Sequence, residues 1–206
     1  MSDPIFTIGH STHPIDHFIS LLRRNGITAI ADVRSSPFSR FNPQFNRSDL
    51  KKSLSGAGIG YVFLGAELGA RSDDPSCYVN GKVRYQRIAE TPAFESGIGR
   101  VIAGSKTHRI AMMCAEKEPL DCHRTILVSR ELVSKGMEVR HILADGAVEA
   151  HADSLHRLLD AFNLREGQLF RTIEETEDLA YGMQEKKIAF DKSSASHTLI
   201  DDGRGE

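Results

Sequence analysis

Between Cys114 and Arg124 the run Cys-Ala-Glu-Lys-Glu-Pro-Leu-Asp-Cys-His-Arg gathers two thiols, an imidazole, a guanidinium and several carboxylates. A thiol in the first turn of a helix lies near free N–H groups and the positive end of the helix dipole, which favour its thiolate form, and neighbouring His123 and Arg124 push the same way. Cys122 is therefore a candidate nucleophile, and Glu116 a candidate general acid or base. Arg124 and the helix N-terminus form a candidate anion site for phosphate or carboxylate, with Cys114 and His123 as further ligand-binding candidates. Plainer readings stand beside these: Cys114 as a small core residue at a strand end, Glu116 as the partner of an arginine. A metal site, with Cys114, Cys122, His123 and His10 as its possible ligands, is a minor alternative and not the expectation. Seven residues between the cysteines are not a zinc-knuckle spacing, and Cys122 and His123, adjacent on a helix, point in different directions.

Further polar groups follow the other apolar runs. His10 comes after Ile5 to Gly9, Asp32 and Arg34 close Ile27 to Val33, Glu67 and Arg71 follow Tyr61 to Leu64, and Asp145-Gly146 follows Glu138 to Leu143. His10 and Asp32 join the catalytic candidates, as groups that orient or polarise a substrate; Arg34 and Arg40 join the ligand-binding ones. From Arg34 to Lys52, five basic residues stand against one acid, interleaved with Phe38, Phe41 and Phe45. Such a loop can stack bases on its rings and meet phosphates with its cations, or pin itself to the core by its phenylalanines. His13, His17, His108, His151, His156 and His197 read as solvated or helix-face residues.

To bring these groups together, the chain needs a scaffold that collects loops at one edge. The apolar runs have strand length. Between them lie helical patterns: Ile15, Phe18, Ile19 and Leu22; Leu50 and Leu54; Phe94, Ile98, Val101 and Ile102; a helix from about Asp121 to Lys135; and Leu155, Leu158, Leu159 and Phe162. This β-α alternation predicts an α/β fold with a single open, mostly parallel sheet and helices on both faces, Rossmann-like or flavodoxin-like. Strand order does not follow from the sequence. In such sheets ligands bind outside the carboxyl ends of the strands, where every candidate above falls. The stretch from Gly65 to Glu90 exceeds the usual connection length and invites a functional reading.

With 206 residues, 40% apolar and 26% charged, the chain suits one domain with a full core. The expected domain covers 1–190, including a C-terminal docking helix from Arg171 to Phe190, with 191–206 as a flexible tail. The longest apolar runs fall short of the roughly 20 residues a membrane span needs, and an odd cysteine count makes no disulfide framework, so a cytoplasmic protein with reduced thiols is expected. The net charge of -2 excludes nucleic-acid binding by bulk electrostatics but not by a local patch.

Ile8-Gly9-His10-Ser11-Thr12, Ala31-Asp32-Val33-Arg34 with Pro37 and Ser39-Arg40, and Cys114-Ala-Glu116 with Cys122-His123-Arg124 together resemble the domain-of-unknown-function family 488. The likeness continues through Gly136, Val139 and His141-Ile142 to Tyr181, Gln184 and Lys187-Ile188-Ala189. It implies a compact α/β domain in which these loops belong together, and brings no activity or cofactor with it. A weaker similarity joins the strand ending Asp32-Val33-Arg34 and the strand ending at Cys114 to rhodanese-like sulfurtransferases. There, however, an arginine follows the nucleophile within a few residues, and here nine residues separate Cys114 from Arg124. The leading expectation is an enzyme, or a degenerate relative of one, that binds a phosphate-bearing ligand, a nucleotide or nucleic acid. A non-catalytic nucleic-acid module and a thiol or sulfur-transfer enzyme are the alternatives.

Overall fold

The computed structural model describes residues 3–165 and 171–192. Its main sheet has the order β3-β2-β6-β1-β7-β8, built from β1 (Ile5–Gly9), β2 (Ala29–Asp32), β3 (Gly60–Phe63), β6 (Ile110–Cys114), β7 (Val139–Ile142) and β8 (Val148–Ala150). The first five pair in parallel and β8 is antiparallel at one edge. The inner strands β1 and β6 are buried along their whole length. That is why they read as continuous apolar runs: in a parallel sheet covered on both faces, no position is left for water.

Side chains alternate between the two faces. Phe6, Ile8, Ile30, Ala111 and Met113 point to one face, under α1 (Ile15–Arg24) and α2 (Arg47–Gly56), where they meet Phe18, Leu22, Leu50 and Leu54. Ile5, Ala31, Met112, Cys114 and Val139 point to the other, packed with Phe94, Ile98 and Val101 of α5 (Pro92–Ser105), Leu132 of α6 (Arg130–Ser134), Leu158 of α7 (His151–Ala161) and Ala180 of α8 (Ile173–Ile188). The α/β class with helices on both faces is as expected, and the strand order completes it. No helix among the described residues is long and apolar enough to cross a membrane.

Three details differ from the sequence reading. Asp145-Gly146 is not a strand-end polar loop but the turn from β7 into β8: Gly146 takes φ 88 and the Asp145 carboxylate accepts the Ala147 N–H at 2.9 Å. The long stretch after β3 folds into α3 (Gly65–Leu68), a hairpin of β4 (Tyr78–Val79) and β5 (Lys82–Val83), and α4 (Tyr85–Ala89), burying Cys77, Val83, Tyr85 and Ile88. It bonds to the segment after α8 through Val83 N–H to the Phe190 carbonyl and Lys192 N–H to the Gly81 carbonyl. Finally, no helix begins at Asp121. A 3-10 turn spans Pro119–Asp121, Cys122 is extended (φ -134, ψ 140), and a π-helical turn, Arg124–Ser129, leads into α6. Of the expected tail, residues 193–206, with His197, lie outside the described residues.

Candidate functional site

β1 and β6 end side by side, Gly9 opposite Cys114, and the loops leaving them stay paired: His10 N–H to the Cys114 carbonyl and Ser11 N–H to the Ala115 carbonyl, both 2.9 Å. Gly9 has no side chain because a Cβ there would collide with the Glu116 carbonyl. The Glu116 loop thus lies directly across the end of β1. Arg124, fully buried, holds it in place by donating to the carbonyls of Glu116 (2.7 Å) and Lys117 (3.2 Å). On the far side, Gln184 of α8 donates to the Leu120 carbonyl at 2.9 Å, which gives the C-terminal helix a part in shaping this edge.

Within this frame Cys114 Sγ, Glu116, Cys122 Sγ and His123 Nδ1 converge, their heteroatoms all within 4.8 Å of one another. His123 Nδ1 is 3.7 Å from the Cys114 sulfur and 3.8 Å from the Cys122 sulfur, and Glu116 Oε2 is 2.9 Å from the Cys122 sulfur. Cys122 and His123, expected to diverge, come together because Cys122 precedes the helical turn in an extended conformation. The Arg124 backbone N–H then caps its sulfur at 3.4 Å. The two sulfurs and the imidazole are buried, and Glu116 is exposed beside them.

The electrostatics follow from this packing. Burial alone would raise the Cys122 thiol, but Cys114 bonding to it and the charges of Arg124 and His123 hold it well below the ordinary thiol range. Cys114 is driven up by burial and by its neighbour's charge. His123 is lowered by burial, yet the Cys122 and Glu116 charges leave it above its usual value. The Glu116 carboxyl end is enclosed against the Cys122 sulfur although the residue as a whole is exposed, and this desolvation with the Cys122 charge pushes the carboxyl up. The arrangement can hold and move a proton among sulfur, imidazole and carboxylate, and its donor set suits a thiolate-preferring metal ion.

A second layer stands between this cluster and the loop after β2. His10 Nδ1 is 2.8 Å from the Ser11 carbonyl, which can only accept, so Nδ1 carries the proton and Nε2 receives Arg34 at 3.2 Å. Burial brings His10 down to about 4, so the ring is neutral at pH 7. Arg34 forks onto Asp32 at 2.7 and 2.9 Å and donates to the Phe45 carbonyl at 2.9 Å, and Tyr61 donates to Asp32 at 2.8 Å. Phe45 is buried and stacks on His10, ring centroids 4.3 Å apart. Phe45 therefore serves as the pin of the loop rather than as an exposed stacking ring. Asp32, Arg34 and His10 form a positioning network adjoining the cluster.

Arg40 stands apart, exposed, its guanidinium 5.9 Å from the centre of the Phe41 ring. Glu67 pairs with Arg100, and Arg71 lies 4.4 Å over Phe190, so neither joins the cluster. His151, read as a solvated or helix-face residue, stands at the start of α7 and is buried there in a chain unseen in the sequence. Thr7 Oγ1 meets His141 at 2.7 Å, His141 meets His151 at 3.0 Å, and His151 meets the Tyr181 hydroxyl at 2.9 Å. Thr7 in β1 and His141 in β7 are buried polar residues within strands, a sign of burial with a polar partner that does not say which partner.

Residues 14–130 match a family described as "Domain of unknown function DUF488". No curated protein and no solved structure matches the chain.

Proposed function

This chain belongs to the DUF488 family of domains of unknown function, and on that premise we propose that it is an enzyme-like domain that binds single-stranded nucleic acid at the carboxyl edge of its sheet, with the Cys114–Glu116–Cys122–His123 cluster as its reaction centre. One observation carries the reading. The loop after β2 presents Phe38 and Phe41, 68% and 86% exposed, together with Arg40, and the α2 helix that follows carries the exposed cations Arg47, Lys51 and Lys52; none of these four cations is ion-paired among the described residues. Large exposed rings are costly to leave in water, and here they stand beside charges that phosphate would neutralise.

The alternative phosphate holders are less suited to the task. Arg34 and Arg124, both buried, already donate to Asp32 and to backbone carbonyls, and Arg47 lies 4.6 Å over the Phe63 ring, so the cations left to meet phosphate are Arg40 of the loop and Lys51 and Lys52 of α2. A groove of about 470 Å3 lined by Pro37, Phe38, Asn46, Arg47 and Lys51 offers room beside the exposed ring. Asp49 is the acidic residue on its wall, and it weakens the field without cancelling it. Glu116, exposed at the mouth of the cluster, is the group that would give or take a proton.

Fluorescence anisotropy of a labelled single-stranded oligonucleotide tests the reading. The oligonucleotide should bind more tightly than its duplex, log K should fall linearly with log salt, and Arg40→Ala should shallow that slope by about one. Phe41→Ala should weaken single-strand binding about tenfold, the scale of one lost base stack. No binding at low salt, or an Arg40→Ala protein with unchanged affinity and slope, would overturn it. The sulfur-transfer alternative draws on a different observation, the Cys122 sulfur lying 3.4 Å from the Arg124 N–H and 3.8 Å from His123 Nδ1, contacts that favour a thiolate. It requires Cys122 to be alkylated far faster than Cys77 in the native protein.

A further inference from the structure

We propose that Cys114, Cys122 and His123 hold a zinc-class divalent ion through their two sulfurs and Nδ1, with the remaining coordination position turned toward Glu116 and solvent. The inference stands on the geometry of the cluster alone, and nucleic-acid binding is not needed for it.

The separations of the imidazole nitrogen from the two sulfurs are those of a coordination polyhedron. With bonds of about 2.3 Å to sulfur and about 2.0 Å to nitrogen, a tetrahedral ion separates its ligand atoms by roughly 3.5 to 3.8 Å. The imidazole nitrogen lies 3.7 and 3.8 Å from the two sulfurs. Soft thiolates with an imidazole select zinc over magnesium or calcium, which prefer oxygen.

The surroundings are built to support such an ion. His123 Nε2 donates to the Val33 carbonyl at 3.0 Å, the outer hydrogen bond that orients a metal-ligating imidazole and leaves Nδ1 as its donor atom. The Arg124 N–H rests on the Cys122 sulfur, as backbone amides do on metal-bound thiolates. Charge also balances: two thiolates and the Glu116 carboxylate against a divalent ion and the buried Arg124 guanidinium sum to zero. Without an ion, two sulfurs and an imidazole stay buried around protons they must share.

Glu116 differs from the other three. It is exposed where they are buried, and its oxygen is closer to the Cys122 sulfur, 2.9 Å, than a tetrahedral edge would have it. It is therefore assigned to the open side, next to the position a water molecule takes when three protein groups hold zinc in a catalytic site. Oxygen ligands of a substrate would reach the ion from that side.

The test uses the full chain purified without chelators or added metal. Elemental analysis should find zinc stoichiometric with the chain. The cobalt(II)-exchanged protein should show the strong visible bands of a tetrahedral site together with thiolate-to-cobalt charge transfer. Cys122→Ser and Cys114→Ser should lose both signals, Cys77→Ser should keep them, and Glu116→Gln should keep the metal with shifted visible bands. Because a cysteine variant can fail by misfolding, iodoacetamide labelling of the unaltered chain supplies an independent reading: zinc should slow alkylation of Cys114 and Cys122 together at least tenfold. Metal-free protein that takes up cobalt without thiolate charge transfer, or thiols alkylated equally fast with and without zinc, would overturn the assignment.

Discussion

His123 reaches across the sheet to bond the Val33 carbonyl through Nε2 at 3.0 Å, turning its other nitrogen toward both sulfurs of the candidate centre. A residue of the β6 loop is thereby fixed by the backbone at the end of β2, so the cluster spans two strands rather than one loop. Replacing His123 by alanine leaves a buried carbonyl without its donor. The expected cost is about 1–3 kcal/mol of unfolding free energy, measured by urea denaturation. His123→Asn, which can still donate to Val33, should recover part of it.

Gly9 and Arg124 hold the Glu116 loop from opposite sides. In Gly9→Ala the new methyl would have to displace the Glu116 carbonyl, a backbone group, and a loss of about 1–3 kcal/mol is expected. Arg124→Met keeps volume but abandons the carbonyls of Glu116 and Lys117, and should cost about as much. Hydrogen exchange in both variants should rise in residues 115–118 before it rises in the strands. Uniform exchange across the domain would contradict the assigned role.

The histidines make stability depend on pH. Burial brings His10 and His151 each down to about 4, and His141, buried beside His151, lies well below its usual value. The unfolded chain protonates these rings below about pH 6.5 while the fold keeps them neutral, so the unfolded state binds more protons between the two values. Their contribution is fully present above about pH 6.5 and is lost as pH falls toward 4, by up to about 3 kcal/mol each for His10 and His151. Urea midpoints at pH 7.5 and 5.0 should therefore differ, and His151→Gln should narrow the gap. Equal midpoints would show that the rings are not held neutral.

Phe45 and Phe41, four residues apart in one loop, should behave oppositely. Phe45 is buried against His10, and Phe45→Ala should cost about 3–5 kcal/mol of stability. Phe41 is 86% exposed, and Phe41→Ala should change stability by no more than about 0.5 kcal/mol while weakening oligonucleotide binding.

That contrast also marks how far the sequence could be read. The strands were legible because burial on both faces makes them unbroken apolar runs, and the carboxyl-edge position of His10, Asp32, Cys114 and Glu116 followed from their order after those runs. What escaped was anything decided by a single backbone angle or a distant partner. Val148–Ala150 is too short and polar to read as a strand, and it forms one only through pairing with β7. The meeting of Cys122 with His123 depends on an extended residue ahead of a π-helical turn, and a helical reading of the same letters sends the two apart. Thr7, His141, His151 and Tyr181 come from four separate elements, and no local pattern announces their contact. Three phenylalanines interleaved with arginines look alike in sequence, yet only Phe38 and Phe41 face water.

Ultraviolet cross-linking of a saturating single-stranded oligonucleotide, followed by mass spectrometry of the digested protein, tests the functional reading most directly. Adducts are expected on the peptide carrying Phe38 and Phe41; high salt should abolish them, and in the Phe41→Ala protein they should diminish and be confined to Phe38. Adducts confined to the opposite end of the sheet, or none under conditions where the oligonucleotide is bound, would contradict a nucleic-acid site at the carboxyl edge.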